Sequence, residues 1–428
     1  MAVITQNSGP EFNTVREELF QHIDNPKQLE KLYRKNKTVF QRVFNTVYPE
    51  IQTHASAQVW NERLNFEQEE LYLGPKKEML FVLLSAFVTG LLAKIPDFTG
   101  INADHFFMRN IGLVGFPMLL AYFLWKQKTT INQLLVPLVA VILSALYINF
   151  LPNNPASNSI VLACIHLPVF LWTLLGYSFA GGNWKSHAQR IDFLRFNGDF
   201  AVMSALLVLA GILFTGITIG LFELIGLHIQ EFYAKNIAVW GLSGIPILSA
   251  YLVVNNPQLV NKISPVIARI FTPLVFITLL VFLVAIIYTG KNVYNDRNFL
   301  LLFNGLLIAV MAIILFSVSE ATKKTEGKLN LLVLFGLSLL TIILNGIALS
   351  AIAFRLSEFG ITPNRIAVLG ANLLIFVNLL FVAYQLFRIL KGKAEVQQLE
   401  NSIVVLLPVY GIWSVLVTFL FPLLFSFA

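Results

Sequence analysis

Two arginines and a glutamate, Arg355, Glu358 and Arg365, lie close together between two of the longest apolar runs of the chain. A guanidinium recognises carboxylate and phosphate groups through two parallel hydrogen bonds. Arg355 and Arg365 on either side of Glu358 could therefore hold an anionic substrate or a neighbouring loop. Lipid head groups could equally hold both arginines at the membrane interface, because arginines near helix ends extend outward. The sequence favours neither interpretation.

The residues inside this segment predict a tight turn between two helices. Gly360 fits the left-handed position just past a helix end, Thr362 fits an N-cap, and Pro363 fits the first helical position. We therefore expect an antiparallel pair of membrane helices joined by a polar turn at the bilayer surface.

The late apolar runs also contain four asparagines that could line a polar route: Asn304, Asn345, Asn372 and Asn378. Hydrogen bonds between helices also explain amides inside a membrane protein, and we favour that explanation. His166 lies in an earlier run, where a lone imidazole is more typical of a hydrogen bond between helices than of a ligand. Glu223 is the nearest candidate for an acid that couples transport to a proton or cation, although its position close to Gly226 favours the interface.

The composition indicates a polytopic membrane protein. Of the 428 residues, 57% are hydrophobic and 12% are charged, which is about half the charged fraction of soluble domains. The apolar runs are about 20 residues long, the length of a membrane-spanning helix, and they lack the alternation of a membrane barrel. The predicted fold class is therefore all-α. Cationic loops that set membrane orientation explain the net charge of +7 better than nucleic acid does.

The apolar runs predict about eleven spans, and the loops between them predict the orientation. The spans are expected near residues 78–95, 109–125, 131–150, 159–179, 199–226, 235–254, 267–289, 299–318, 329–354, 366–387 and 403–426. Fifteen lysines and arginines, including Lys126, fall on one side, and seven, including Arg355 and Arg365, fall on the other. The positive-inside rule then predicts a cytoplasmic amino terminus, and an odd number of spans places the carboxyl terminus on the opposite, exterior or periplasmic side.

Two regions outside the spans have their own patterns. Residues 1–74 have a soluble composition and short amphipathic stripes, which predict a helical cytoplasmic region ahead of the transmembrane domain 75–428. This region could bind a cytoplasmic protein. Residues 181–198 could form an amphipathic helix on the anionic inner surface, with Trp184, Ile191 and Leu194 facing lipid, or could act as a gate.

The sequence predicts no cofactor and no metal. It has no metal-ligand cluster, no glycine-rich phosphate loop and no nucleophile motif. An enzyme therefore has little positive support. Prolines in or near the apolar runs, including Pro117 and Pro137, give a weak indication of broken helices, which often line transporter sites.

The segment from Arg355 to Arg365 resembles the signature turn of a bacterial multi-span family known as domain of unknown function 4153. The stretches Asn25–Tyr33 and Trp60–Asn65 are similar to the Bacteroidota versions of that family. The resemblance implies a multi-span inner-membrane protein and gives no catalytic or transport residues. The matching motif positions are Arg355, Glu358, Gly360, Thr362 and Arg365.

Three classes of function are compatible with these patterns. A permease or flippase-like transporter would use the asparagine-bearing helices as its route and the 355–365 turn as a gate, and we favour it on the number of spans. A membrane sensor would signal through residues 1–74. An intramembrane lipid or polymer transferase would use Arg355, Glu358 and Arg365 on an anionic substrate. The expected partners are the lipid bilayer and either an unknown solute or an anionic lipid.

Overall fold

The computed structural model describes residues 10–35, 37–65, 75–154, 156–224, 227–257, 264–289, 297–321 and 328–428. Every regular element within these ranges is a helix, which confirms the all-α fold class. The chain divides into two compact units, residues 1–72 and residues 73–428. The boundary that the sequence predicts at residue 74 lies in 66–74, outside the described residues.

The first unit is a set of short amphipathic helices around its own core. The helices are α1 (Pro10–Gln21), α2 (Pro26–Lys35), α3 (Lys37–Ile51) and α4 (Ala55–Asn65). Phe40 and Phe44 of α3 are fully buried in this core. On its surface, Arg34 and Arg63 each lie 2.8 Å from the Glu30 carboxylate. The hydrogen bond from Arg34, and then that from Arg63, hold the pKa of Glu30 below its usual value.

The second unit consists of long apolar helices. They are α5 (Lys76–Ala93), α6 (Ile95–Thr99), α7 (Ala103–Lys126), α8 (Ile131–Phe150), α9 (Asn158–Phe179), α10 (His187–Leu224), α11 (Gln230–Tyr233), α12 (Val239–Asn255), α13 (Ser264–Thr289), α14 (Arg297–Ala321), α15 (Lys328–Phe359), α16 (Pro363–Leu390), α17 (Val396–Val404), α18 (Leu407–Val415) and α19 (Phe421–Leu424). Single π-helical turns, Ala234–Ala238 and Leu416–Leu420, precede α12 and follow α18.

The described part of the chain contains nine helices that are long and apolar enough to cross a membrane. This result supports a polytopic membrane protein but does not confirm eleven spans. The first predicted span corresponds to α5, whose first turn carries Lys76, Lys77 and Glu78. The eighth corresponds to α14, in which the described apolar stretch is the shorter Phe303–Ser319. Both are helical, so the difference concerns their length and charge.

The predicted surface helix in residues 181–198 is wrong. Residues from His187 onward belong to α10, which continues without a break to Leu224. Ile191 is 2% exposed and Leu194 is 8% exposed, and both pack in a core with residues of α13 to α17. Their apolar side chains therefore face neighbouring helices. Of the three residues expected to face lipid, Trp184 alone is exposed.

Hydrogen bonds between helix ends show which charged and polar residues of the second unit lie at the same end of its helices. At one end, Lys94 Nζ donates to the Lys235 carbonyl (2.9 Å), and Asn364 of the 355–365 turn donates to Asn158 (2.7 Å). At the opposite end, Lys126 donates to Asn255 (2.9 Å). Lys126 and the 355–365 turn thus lie at opposite ends of the unit, as their assignment to opposite sides in the sequence predicts, but the bonds carry no information on which face is cytoplasmic.

The packing of α16 against α18 depends on a glycine. A Cβ at Gly370 would lie 2.1 Å from the Trp413 ring, whereas a Cβ at Gly346 of α15 would meet nothing within 4 Å. We expect Gly370→Ala to lower the free energy of unfolding by about 1–3 kcal/mol because the ring has to shift. Gly346→Ala should be neutral or stabilising by up to about 1 kcal/mol, because alanine is the better helix former. Thermal unfolding of the two variants in detergent checks the opposite signs, and equal effects would contradict the predicted role of the contact.

Candidate functional site

The 355–365 turn has the predicted backbone. Gly360 has a positive φ of 73°, and Thr362 is the N-cap of α16, with Pro363 in the first turn. The Thr362 hydroxyl accepts a hydrogen bond from the Arg365 backbone N–H (3.4 Å). Arg365 Nη1 donates to the carbonyls of Phe359 (2.7 Å) and Gly360 (2.6 Å). Arg365 therefore satisfies carbonyls at the carboxyl end of α15, as a cation in that position should.

The structure does not bring Glu358 onto the two arginines. Glu358 is exposed, and within the described residues it forms no ion pair with Arg355 or Arg365. The Arg355 guanidinium lies 5.9 Å from the Phe359 ring centroid, and its buried Nη1 has no hydrogen-bond partner among the described residues. The observed contacts of the turn are those of a connection between helices. Its role in substrate binding or gating stays a prediction.

The four asparagines form bonds between helices. Asn372 Nδ2 of α16 donates to Asn304 Oδ1 of α14 (2.6 Å), and Asn345 Nδ2 of α15 donates to the Asn372 carbonyl (3.2 Å). Asn378 Nδ2 donates to the Tyr410 hydroxyl of α18 over a longer 3.4 Å. These bonds fit the packing role that amides commonly have in membranes. The polar route through them stays a prediction.

His166 and Glu223 do not meet each other or the asparagines in the described bonds. His166 Nδ1 lies 2.9 Å from the Leu162 carbonyl, one turn earlier in its own helix, so the bond is within α9 rather than between helices. Glu223 is exposed in the last turn of α10. An exposed position at a helix end agrees with the interfacial placement of Glu223.

A buried polar network surrounds Glu78, which is not among the site residues predicted from the sequence. The Oε1 atom of Glu78 accepts hydrogen bonds from Tyr122 Oη (2.7 Å), Lys126 Nζ (2.6 Å) and Asn255 Nδ2 (2.8 Å). Lys126 Nζ also donates to Asn255 Oδ1 (2.9 Å). The network therefore joins the first turn of α5 to the last turns of α7 and α12.

Glu78 is charged and 4% exposed, so its burial needs compensation. Three donors on one carboxylate oxygen, one of them an ammonium, provide it. Glu78 also lies in the first turn of α5, where the helix dipole favours a negative charge. The arrangement fixes the ends of three helices at one level of the bundle.

A sequence signal for this network does exist. Glu78 directly follows two lysines at the start of an apolar run, and Lys126 and Asn255 each end one. Antiparallel spans bring the start of one run beside the end of the next, so these three residues share one face of the membrane. Lys126 nevertheless looks like one of the many cations that set orientation.

Beside this network lies a cavity of about 760 Å³ between α7 and α8. Most of its wall is apolar and comes from residues such as Met118, Ala121 and Leu138. Glu78, Lys126, Lys128 and Thr129 also line it. Trp125 is 44% exposed and Leu138 is 46% exposed, so the cavity is open to the surroundings of the protein.

Two of the prolines noted in the sequence line this cavity. Pro117 lies inside α7 and Pro137 lies inside α8. A proline removes one helical hydrogen bond and clashes with the preceding turn, which bends the helix. Both prolines thus lie in the parts of α7 and α8 that line the cavity, where a bend would separate the two helices.

Two further cavities lie elsewhere in the same unit. One, of about 540 Å³, is bounded by α7, α9, α10 and α12 and is lined mainly by apolar residues, with Asn197 and Ser243 as polar exceptions. The other, of about 420 Å³, lies between α9, the start of α10 and α18, and it is lined by Trp172, Trp184 and Arg190. Arg190 donates to the carbonyls of Trp184 (2.8 Å) and Val404 (3.3 Å), so backbone acceptors already use this guanidinium.

These features define a polytopic helical membrane protein with an apolar cavity whose lining includes charged residues. Comparisons with models of known protein families, with curated proteins and with solved structures each find no match. The resemblance of the 355–365 segment to the 4153 family therefore stays a prediction.

Proposed function

We propose that this protein is a flippase-like permease that binds an amphiphilic molecule in the cavity between α7 and α8. The observation that carries the proposal is the composition of that cavity, which combines an apolar wall with the charged residues Glu78, Lys126 and Lys128. An amphiphile has the same division between an apolar chain and a polar head. A volume of about 760 Å³ lies within the range of small-molecule sites.

The opening of the cavity supports a ligand that arrives from the membrane. Leu138 belongs to α8, a helix on which apolar residues such as Leu135, Val139 and Leu143 are exposed. In a membrane protein, such a surface contacts lipid chains. A molecule already dissolved in the bilayer can enter between α7 and α8 without crossing water.

The proposal includes an orientation. Most lysines and arginines fall on the face that holds Lys126 and Lys128, so this face is cytoplasmic by the positive-inside rule. The protein would then sit in a bacterial inner membrane and receive its ligand from the cytoplasmic leaflet.

The test is to fill the cavity. Ala121→Phe places a ring in the cavity wall, and Val139→Phe adds the same ring to an exposed position on α8 that does not line the cavity. The assay follows the exchange of a fluorescent phospholipid between the leaflets of proteoliposomes. We expect the wild type and Val139→Phe to speed this exchange. Ala121→Phe should lose at least about nine-tenths of the activity, which is equivalent to a barrier about 1.4 kcal/mol higher. Wild-type exchange no faster than in protein-free vesicles, or equal exchange by both variants, would overturn the proposal.

A further inference from the structure

The turn between α7 and α8 places a lysine where a glycine is common. Lys128 has a positive φ of 49° and directly follows the C-cap residue Gln127. Its backbone N–H donates to the Trp125 carbonyl (3.2 Å), and the next N–H, of Thr129, donates to the Leu124 carbonyl (3.3 Å). These two bonds form the Schellman ending of a helix, in which this position is usually glycine.

A side chain in this conformation is strained, because its Cβ approaches the following carbonyl oxygen. Glycine would remove the strain and keep both backbone bonds. The backbone bonds of the helix ending therefore do not need a lysine, whose charge adds only the favourable interaction of a cation with the carboxyl end of α7. The backbone of the turn therefore does not explain why this position is a lysine.

The charges that line the cavity show what the ammonium can do. Glu78 and Lys126 are 2.6 Å apart and neutralise each other. Lys128 has no ion-pair partner within the part of the chain that the structure describes. The lining therefore carries one net positive charge, which Lys128 supplies. Lys128 lies between the carboxyl end of α7 and the amino-terminal end of α8, whose dipoles have opposite signs there, so the net charge of the lining is that of the lysine.

We infer that Lys128 binds the phosphate of an anionic phospholipid whose acyl chain lies in the cavity between α7 and α8. This inference rests on the proposed function and adds a preference for anionic over zwitterionic head groups. Charge complementarity selects this ligand, since a zwitterionic head group of the same size offers the lysine no net negative charge. Lys126 would act only indirectly, by holding Glu78 away from the phosphate.

Substitutions at Lys128 can separate binding from folding. Lys128→Gly removes the ammonium and relieves the strain, and Lys128→Asn removes the charge with a residue that tolerates a positive φ. Lys185→Gly is the matched control. It deletes a lysine from the turn between α9 and α10, at the same end of the unit, and Lys185 does not line the cavity.

Detergent-solubilised protein is given an equimolar mixture of phosphatidylglycerol and phosphatidylcholine with identical acyl chains. Native mass spectrometry then measures the ratio of the two lipids that remain bound to the protein. We expect both Lys128 variants to lower this ratio about fivefold, the usual effect of one lysine beside anionic lipid. Their melting temperature should equal or exceed that of the wild type, and Lys185→Gly should keep the wild-type ratio.

Three outcomes would overturn the inference. If both Lys128 variants keep the wild-type ratio, Lys128 does not bind the head group, and the proposed function survives provided that Ala121→Phe lowers the retention of both lipids. If Lys185→Gly lowers the ratio equally, the preference comes from overall charge. If Ala121→Phe retains as much of both lipids as the wild type, the lipid is not in the cavity, and the proposed function fails together with the inference.

Discussion

Glu78→Ala is expected to lower the free energy of unfolding of the membrane unit by about 3 kcal/mol, near the lower limit for removing one partner of a buried ion pair. The loss has two causes. Lys126 loses its counter-ion at a site where its side chain is only 29% exposed, and Tyr122 and Asn255 each lose an acceptor. The partial exposure of Lys126 places the effect at the low end, because water can reach the uncompensated ammonium. The measurement is thermal or denaturant unfolding in detergent.

Two comparisons identify the network as the cause. Glu358→Ala removes an exposed glutamate that is not ion-paired among the described residues, and it should change stability by at most about 0.5 kcal/mol. Adding Lys126→Met to Glu78→Ala should recover part of the loss, since no uncompensated charge then remains. An unchanged stability of Glu78→Ala, or a double variant less stable than the sum of the single variants, would contradict the predicted coupling.

Arg109→Met is expected to lower the free energy of unfolding by about 3–5 kcal/mol. Arg109 is 3% exposed, and it donates to the carbonyls of Ile148 (2.9 Å), Leu151 (2.9 Å) and Pro152 (2.8 Å). These carbonyls lie at the carboxyl end of α8, where the helix itself supplies no donors. Methionine fills a similar volume but removes the donor from the buried carbonyls of Ile148 and Leu151, whereas the exposed Pro152 carbonyl keeps a hydrogen bond from the Asn154 backbone N–H (3.0 Å).

The shape of the guanidinium matters as much as its charge. Arg109→Lys keeps the charge but offers one compact ammonium in place of a planar fork, so it should recover about half of the loss. Arg355→Met is the matched control from the same end of the unit, since Arg355 Nη1 has no hydrogen-bond partner in the part of the chain that the structure describes. The interpretation fails if Arg109→Met and Arg355→Met shift the melting temperature of the protein equally.

The fold class and the turn chemistry could be predicted from the sequence because both are local. Runs of about 20 apolar residues identify helices by length alone. Gly360, Thr362 and Pro363 specify a helix end and a helix start through their own backbone preferences. The left-handed Gly360 and the Thr362 N-cap confirm those expectations. No knowledge of neighbouring helices is needed for either step.

The candidate site could not be predicted because it depends on contacts between distant residues. Glu78 and Asn255 are separated by 177 positions, and the bond between them exists only because α5 packs beside α12. The charged 355–365 segment is conspicuous in sequence, yet the Arg365 side chain is used on backbone carbonyls. A charged segment is visible in the sequence, whereas the structural role of each charge depends on its burial and on its bonding partners. The surface helix predicted at 181–198 failed for the same reason, since its apolar face meets other helices.

The length of the unbroken helix α10 can be compared with the thickness of a membrane. At 1.5 Å per residue, its 38 residues span about 57 Å, against about 30 Å for the hydrocarbon layer. Even at a steep tilt, several turns of the helix stand in the head-group region or in water. Ile191 and Leu194 near its start are buried, so the turns of α10 that precede the span predicted at 199–226 also pack against other helices. In a thicker or thinner bilayer, we therefore expect a different set of residues to lie in the hydrocarbon layer, while the contacts between helices stay the same.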